Sequence, residues 1–239
     1  MKLLSGVDLL EPLSWEEIEG LSERVPEVHL ERGQILYGPY HRSNVLFLLL
    51  RGRVRIYKMV GGEELTLSVL RAGEIFGEAM LATRRRQGAY AQAIETSEIA
   101  LISLNTLRRL VHDKPEVGLK AVSLLSERLS FYESKMTDIG LKEVSARLAN
   151  LLLHLVETEG VATSEGYRIP TRYTHEQLGT MVGAKRVAVT RAFAELKETG
   201  SVDLRQRYIY VRDVETLELV AGEAQEGRKL QSQESPPRP

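Results

Sequence analysis

Apolar residues fall in short runs over the first third of the chain and in longer stripes at helical spacing afterwards. Leu30 to Leu36, Val45 to Leu50, Val54 to Lys58 and Leu65 to Leu70 are apolar or alternating, with Gly33, Gly38, Gly52, Gly61, Gly62 and Gly73 between or after them. Short segments divided by glycine turns at about ten-residue spacing predict strands of a β-barrel or jelly-roll-like domain. Two more strands are expected from Tyr90 to Glu95 and from Glu98 to Ser103. A helical lead-in from Ser14 to Val25 precedes them, with Ser14 and Glu17 at the spacing of a capping box.

From Pro115 the period changes. Val122, Leu125, Leu129, Tyr132, Met136 and Ile139 are separated alternately by three and four residues, an a/d seam on a helix expected from Pro115 to Gly140. The residues between seam positions are largely polar (Ser123, Ser126, Glu127, Arg128, Ser130, Glu133, Ser134 and Lys135). So narrow a stripe suits a partner helix in a symmetric parallel dimer, the alternative being an amphipathic helix packed on its own domain. A second helix, Leu141 to Glu157, carries Val144, Leu148, Leu151, Leu152 and Leu155, followed by an expected loop, Thr158 to Gly166, and an extended piece, Tyr167 to Thr171. The segment from Gly222 to Pro239 holds almost nothing apolar and is expected to be disordered.

The most informative stretch runs from Thr174 to Arg191. Thr174 and Gln177 stand at capping-box spacing, Gly179 is small enough for close approach of another helix, and Gly183 supplies the positive φ that ends a helix in a tight turn. A second helix is expected from about Lys185 to Glu198, ahead of Gly200. Helix, short glycine turn, helix predicts a helix-turn-helix. On the second helix Val189, Ala192, Phe193 and Leu196 share an inward face, leaving Arg186, Val187, Thr190 and Arg191 on the opposite side. Arginine forks match guanine O6 and N7, Lys185 and Thr190 suit phosphate, and Val187 suits a thymine methyl. Ser201–Leu204 and Tyr208–Arg212 flank Arg205-Gln206-Arg207, predicting a β-hairpin wing with a basic tip.

Composition sharpens this. The chain has 239 residues and a formal net charge of −1, so there is no global pull toward a polyanion. Yet Gly183 to Arg212 contains seven bases and only three acids, a local surplus where DNA would dock. Cysteine is absent, which excludes disulfides, cysteine-ligated zinc, iron–sulfur clusters and thiol catalysis. The five histidines, His29, His41, His112, His154 and His175, are scattered, so neither a metal site nor a haem ligand pair is expected. No P-loop, G-x-S-x-G or H-E-x-x-H pattern occurs, and no enzyme or cofactor is expected. The start reaches Asp8 before any long apolar run, and Val45–Leu50 is far short of the roughly 20 residues a membrane helix needs. A soluble, cytoplasmic protein is the expectation.

In order and spacing the chain resembles the cyclic-AMP receptor protein / fumarate–nitrate reductase regulator family of bacterial transcription factors, over about residues 8–215. Gly77-Glu78 and the segment Ala93 to Ser103 resemble the family's phosphate-binding cassette with its following strands, and Gly183 to Arg191 resembles its recognition helix. The implied fold is α+β: a cyclic-nucleotide-binding-like β-roll (1–113), a long dimerisation helix (114–140), a winged helix-turn-helix (141–219) and a tail (220–239). The resemblance implies double-stranded DNA and RNA polymerase as partners of a homodimer. DNA contacts would fall to Thr174, His175, Lys185, Arg186, Val187, Thr190, Arg191, Arg205 and Arg207.

The effector pocket departs from the family pattern. Where cyclic-AMP binders place an Arg-Ser or Arg-Thr pair on the phosphate, just before Ala89-Tyr90, this chain has Gln87-Gly88. The Thr-Ser pair that touches adenine becomes Tyr132-Glu133, while Gly77 and Glu78 are retained. A neutral amide cannot replace a bidentate guanidinium, so tight cyclic-AMP binding is not expected. The pocket expected from these alignments comprises Gly77, Glu78, Gln87, Gly88, Ala89, Arg128, Tyr132 and Glu133. Arg84-Arg85-Arg86 leaves open a different anion, such as a phosphate ester or dicarboxylate, and a module whose winged helix contacts protein is the remaining alternative.

Overall fold

A computed structural model describes residues 4–42, 44–81 and 87–222. The chain divides into two compact units, Met1–Glu133 and Ser134–Pro239. In the first, α1 (Trp15–Ser22) begins in the expected capping box: Glu17 N–H donates to Ser14 Oγ (3.3 Å) and Ser14 N–H to Glu17 Oε2 (2.6 Å). Eight strands follow: β1 (Glu27–Leu30), β2 (Ile35–Tyr37), β3 (Val45–Arg51), β4 (Arg53–Val60), β5 (Glu63–Arg71), β6 (Ile75–Phe76), β7 (Tyr90–Ala93) and β8 (Ser97–Ser103). They form two antiparallel four-stranded sheets of order β1-β8-β3-β6 and β2-β7-β4-β5.

The expected single strand from Leu30 to Leu36 is two strands, one in each sheet. Gly33, at φ +90°, makes the bend between them, and its N–H donates to Ala93 O. The unbroken apolar run of β3 also has a physical reason, since both its faces are covered. Phe47 and Leu49 enter the roll interior with Val54, Leu70, Phe76 and Ile99. Leu46, Leu48 and Leu50 face the other way, onto Leu9, Leu10, Ile18, Met80 and Val117.

A helix the hydrophobic pattern did not announce, α2 (Leu104–Asp113), follows β8 directly. It is capped by Ser103, whose Oγ accepts from Thr106 N–H at 3.1 Å, so no glycine or proline separates strand from helix. Then α3 (Pro115–Leu141) starts on a proline, which is preorganised for that position. Of the seam residues, Val122, Leu129, Met136 and Ile139 are exposed, and Leu125 and Tyr132 half-buried.

The second unit comprises α4 (Val144–Glu159), β9 (Val161–Thr163), β10 (Gly166–Ile169), α5 (His175–Val182), α6 (Arg186–Glu198), β11 (Val202–Arg205), β12 (Tyr208–Val211) and α7 (Val214–Ala221). Helix α4 begins three residues later than expected because Glu143 is extended (ψ 160°). The stretch expected as a loop holds β9, a strand of only three residues, all exposed, too short to show an alternating pattern. Gly166 (φ +108°) closes the β9–β10 hairpin where a Cβ would strike Val211 O at 2.2 Å. The expected tail start at 220 is also corrected, since α7 runs to Ala221 with Ala221 buried; residues 223–239 lie outside the described residues. A core of Leu148, Leu152, Ile169, Leu178, Val189, Phe193, Leu196, Ile209 and Leu217 joins the helices to the sheet β11-β12-β10-β9.

Candidate nucleic-acid interface

The local sequence builds α5 and α6 at fixed separation. Thr174 Oγ1 accepts from Gln177 N–H (3.1 Å) while Gln177 Oε1 accepts from Thr174 N–H (2.9 Å), a complete capping box. Gly183 ends α5 in the left-handed region at φ +65°, ψ +44°. Gly179 is needed for a reason other than the expected helix–helix approach: a Cβ there would meet the turn's own Ala184 O at 2.6 Å. Arg147, which the sequence pattern did not single out, donates to Val182 O (2.7 Å) and Gly183 O (3.3 Å), fixing the last carbonyls of α5 from α4.

Helix α6 has two distinct faces. Val189, Ala192, Phe193 and Leu196 are buried, whereas Lys185, Arg186, Val187, Thr190 and Arg191 are exposed. Val187 is 73% exposed, an apolar side chain left in water between charged neighbours. Neither Arg186 nor Arg191 makes an ion pair among the described residues. Thr190 differs from its expected role as a free phosphate donor. Its hydroxyl donates to Arg186 O (3.0 Å) and lies 2.8 Å from His175 Nδ1.

The wing forms between the paired residues Arg205 and Tyr208. Its two tip residues, Gln206 (φ +51°) and Arg207 (φ +67°), both occupy the left-handed region required by a tight hairpin turn. Arg207 is exposed, but Arg205, expected at the phosphates, is engaged elsewhere: it contacts Asp203 (3.1 Å) and Glu165 (3.0 Å). Asp203 also meets Lys197 (3.3 Å) and Arg212 (3.1 Å). The Leu204 N–H, Lys197 and Arg205 together hold the Asp203 carboxyl below its ordinary range. Thus three of the seven bases counted in this stretch are partly neutralised, and the unneutralised charge concentrates on α6 and Arg207. On the same sheet the Tyr208 ring carries Arg172 at 4.7 Å and Arg168 at 5.2 Å, contacts that sequence spacing across a hairpin does not reveal.

In the first unit, four of the eight expected pocket residues bond to one another in two pairs. Gly77 (φ +81°) lies so close to Phe47 that a Cβ would meet its ring at 2.5 Å. Gln87 is 5% exposed and its Nε2 donates to Gly77 O at 3.4 Å. Its backbone is bracketed by Tyr40 N–H and His41 C=O. Arg128 reaches Glu78 (3.2 Å) and donates to Ile75 O (2.6 Å). Burial, aided by Glu78, pushes the Tyr37 hydroxyl well up, with Arg128 opposing and Tyr132 adding to the rise. The structure therefore brings Gly77 to Gln87 and Glu78 to Arg128, with Tyr132 within electrostatic reach of Tyr37. It shows no bond joining exposed Gly88 or half-buried Ala89 to that group. Arg84, Arg85 and Arg86 lie outside the described residues. Among the described residues no three histidine or acidic side chains form a group able to hold a metal ion, and no helix is long and apolar enough to cross a membrane.

Comparison with known proteins gives matches across both units. The family model for the cyclic nucleotide-binding domain matches residues 27–114, and that for the Crp-like helix-turn-helix domain matches residues 146–220. The chain is 26% identical to the global nitrogen regulator of Synechocystis sp. over 80% of its length and 88% of that protein's. It is also 26% identical to the cyclic AMP receptor protein of Thermus thermophilus, covering 91% and 98% of the two chains. Among solved structures, a double mutant of CooA from Carboxydothermus hydrogenoformans superposes with a TM-score of 0.77 at 27% identity, covering 91% of this chain and 97% of that one.

Proposed function

Since the chain belongs to the CRP/FNR family of DNA-binding transcription regulators, we propose that it acts as a homodimer reading an inverted-repeat promoter site without requiring cyclic AMP. The observation that carries the reading is the α6 face: Arg186, Val187 and Arg191 stand exposed on a helix whose opposite side is buried, and which follows a capped α5 through the left-handed turn at Gly183. In this reading Arg186 and Arg191 contact base edges and Val187 a thymine methyl, while Lys185 and Arg207 contact phosphates. Thr174 and His175 flank them at the start of α5.

The apolar seam of α3 supports pairing of two copies, with Val122, Leu125, Leu129, Tyr132, Met136 and Ile139 in register. Two recognition helices held in this way enter successive major grooves about one DNA turn apart. Independence from cyclic AMP is supported by Gln87 in place of the guanidinium and by the engagement of Arg128 with Glu78. RNA polymerase is the protein partner of this reading, and the cytoplasm its setting.

Selection of duplexes from a random pool by the purified chain, with and without cyclic AMP and 2-oxoglutarate, tests it. Enrichment of one inverted repeat without ligand is the expected result. Enrichment only with a ligand would replace the cyclic-AMP-independent reading by an effector-gated one, and no enrichment in any condition would favour a winged helix used for protein contact.

A further inference from the structure

His175 is the first residue of α5, and its ring lies against the start of α6. Its Nδ1 is 2.8 Å from Thr190 Oγ1, and that hydroxyl is 3.0 Å from Arg186 O. A carbonyl oxygen only accepts, so the single hydroxyl hydrogen of Thr190 goes to Arg186 O. The bond from His175 to Thr190 therefore requires the imidazole to donate from Nδ1. In a neutral ring that places the hydrogen on Nδ1 and leaves a lone pair at Nε2. Such an Nε2 can accept a hydrogen bond but has none to offer a phosphate oxygen.

We infer that His175 couples DNA binding to proton uptake, because only its doubly protonated ring can keep the Thr190 bond and also donate from Nε2 to a DNA phosphate. The inference rests on the DNA-binding reading above and assigns a regulatory property to the same surface. The surroundings favour the neutral form of the unbound ring. Partial burial against the Phe193 ring, 5.5 Å away, disfavours the charged form, and the Arg186 guanidinium adds to this, so His175 lies below the ordinary imidazole range. Arg186 is the charged group facing it from α6. On its own helix Glu176 follows it, exposed and not hydrogen bonded to it, and the arginine of α4, Arg147, is engaged at the opposite end of α5. An approaching phosphate reverses the balance, favouring the imidazolium, and affinity rises as pH falls.

The test is the dissociation constant of the selected duplex at constant ionic strength between pH 8.0 and 6.0, for the native chain, H175Q and T190V. The native chain is expected to bind a few-fold tighter at the acid end, since a one-unit upward displacement in the bound state reaches its limit of about tenfold only below the pKa of the free ring. H175Q, whose amide donates at every pH, is expected to bind without that slope. T190V frees the ring to carry its hydrogen on Nε2, so its slope is expected to be shallower than the native one. Long-range 1H–15N NMR of the free protein should show His175 protonated at Nδ1 near neutral pH. Equal slopes for the native chain and H175Q, or a neutral ring protonated at Nε2, would overturn the inference while leaving DNA binding intact. Absence of binding by every variant at every pH would overturn the DNA-binding reading itself, and this inference with it.

Discussion

The recognition face of α6 and the polar group around Gly77 use the same kinds of side chain in opposite ways. On α6 the arginines point into water, and the structure supports them only through backbone and core. Around Gly77 the polar groups are turned on one another: Gln87 bonds to Gly77, and Arg128 to Glu78 and Ile75. An arginine already held by a carboxylate and a carbonyl offers little to an incoming anion, whereas an exposed, unpaired one retains its full fork. Charge count alone therefore does not locate a binding surface. The second unit shows it again, because Arg205 and Arg212 are as basic as Arg191 but share Asp203 and Glu165.

The largest expected effect probes what holds the recognition face in place. Phe193→Ala empties a buried site between α6 and its neighbours and should destabilise the second unit by about 3–5 kcal/mol, measured by denaturant unfolding. Loss of DNA binding with unchanged stability would contradict a purely scaffolding role for that face.

Arg191→Ala should weaken binding to the selected duplex by about 1–3 kcal/mol and relax base choice, whereas Lys185→Ala should weaken cognate and scrambled duplexes alike and flatten the salt dependence. Equal losses for Arg191→Ala on both duplexes would remove its base-reading role. Arg205→Ala sharpens the contrast: its effect on DNA affinity should fall below that of Arg191→Ala, because its guanidinium already has two acidic partners. A smaller effect is expected at the cap, where Thr174→Ala should lower unfolding free energy by about 1 kcal/mol. In the first unit, calorimetric titration with cyclic AMP should show no tight binding, and a strong signal would end the contrast between the two regions.

Much of this was legible in the sequence because the relevant signals are local. The capping boxes at Ser14 and Thr174, the left-handed Gly183 and the two faces of α6 each depend on residues within one or two turns. What escaped the sequence depends on partners distant along the chain. Arg147 reaches the end of α5 from 35 residues away, and Arg205 finds Glu165 across two hairpins. The α2 helix was hidden because Ser103 both ends a strand and caps a helix. The break between β1 and β2 was hidden because the four-residue turn at 31–34 is shorter than the roughly ten-residue spacing used to divide the strands. Gly179 was correctly marked as a place of close approach, but the neighbour proved to be its own turn.

The wing tip has a consequence for how this protein would respond to selection. Gln206 and Arg207 both adopt backbone angles that glycine enters freely and other residues enter at about 1–2 kcal/mol each. Replacing Arg207 by glycine would relax the hairpin and remove an exposed positive charge at its tip in the same step. If Arg207 meets a phosphate as proposed, thermal robustness and hold on DNA are set against each other at one position. A library screened only for heat resistance would drift toward glycine there and return folded proteins that bind DNA more weakly.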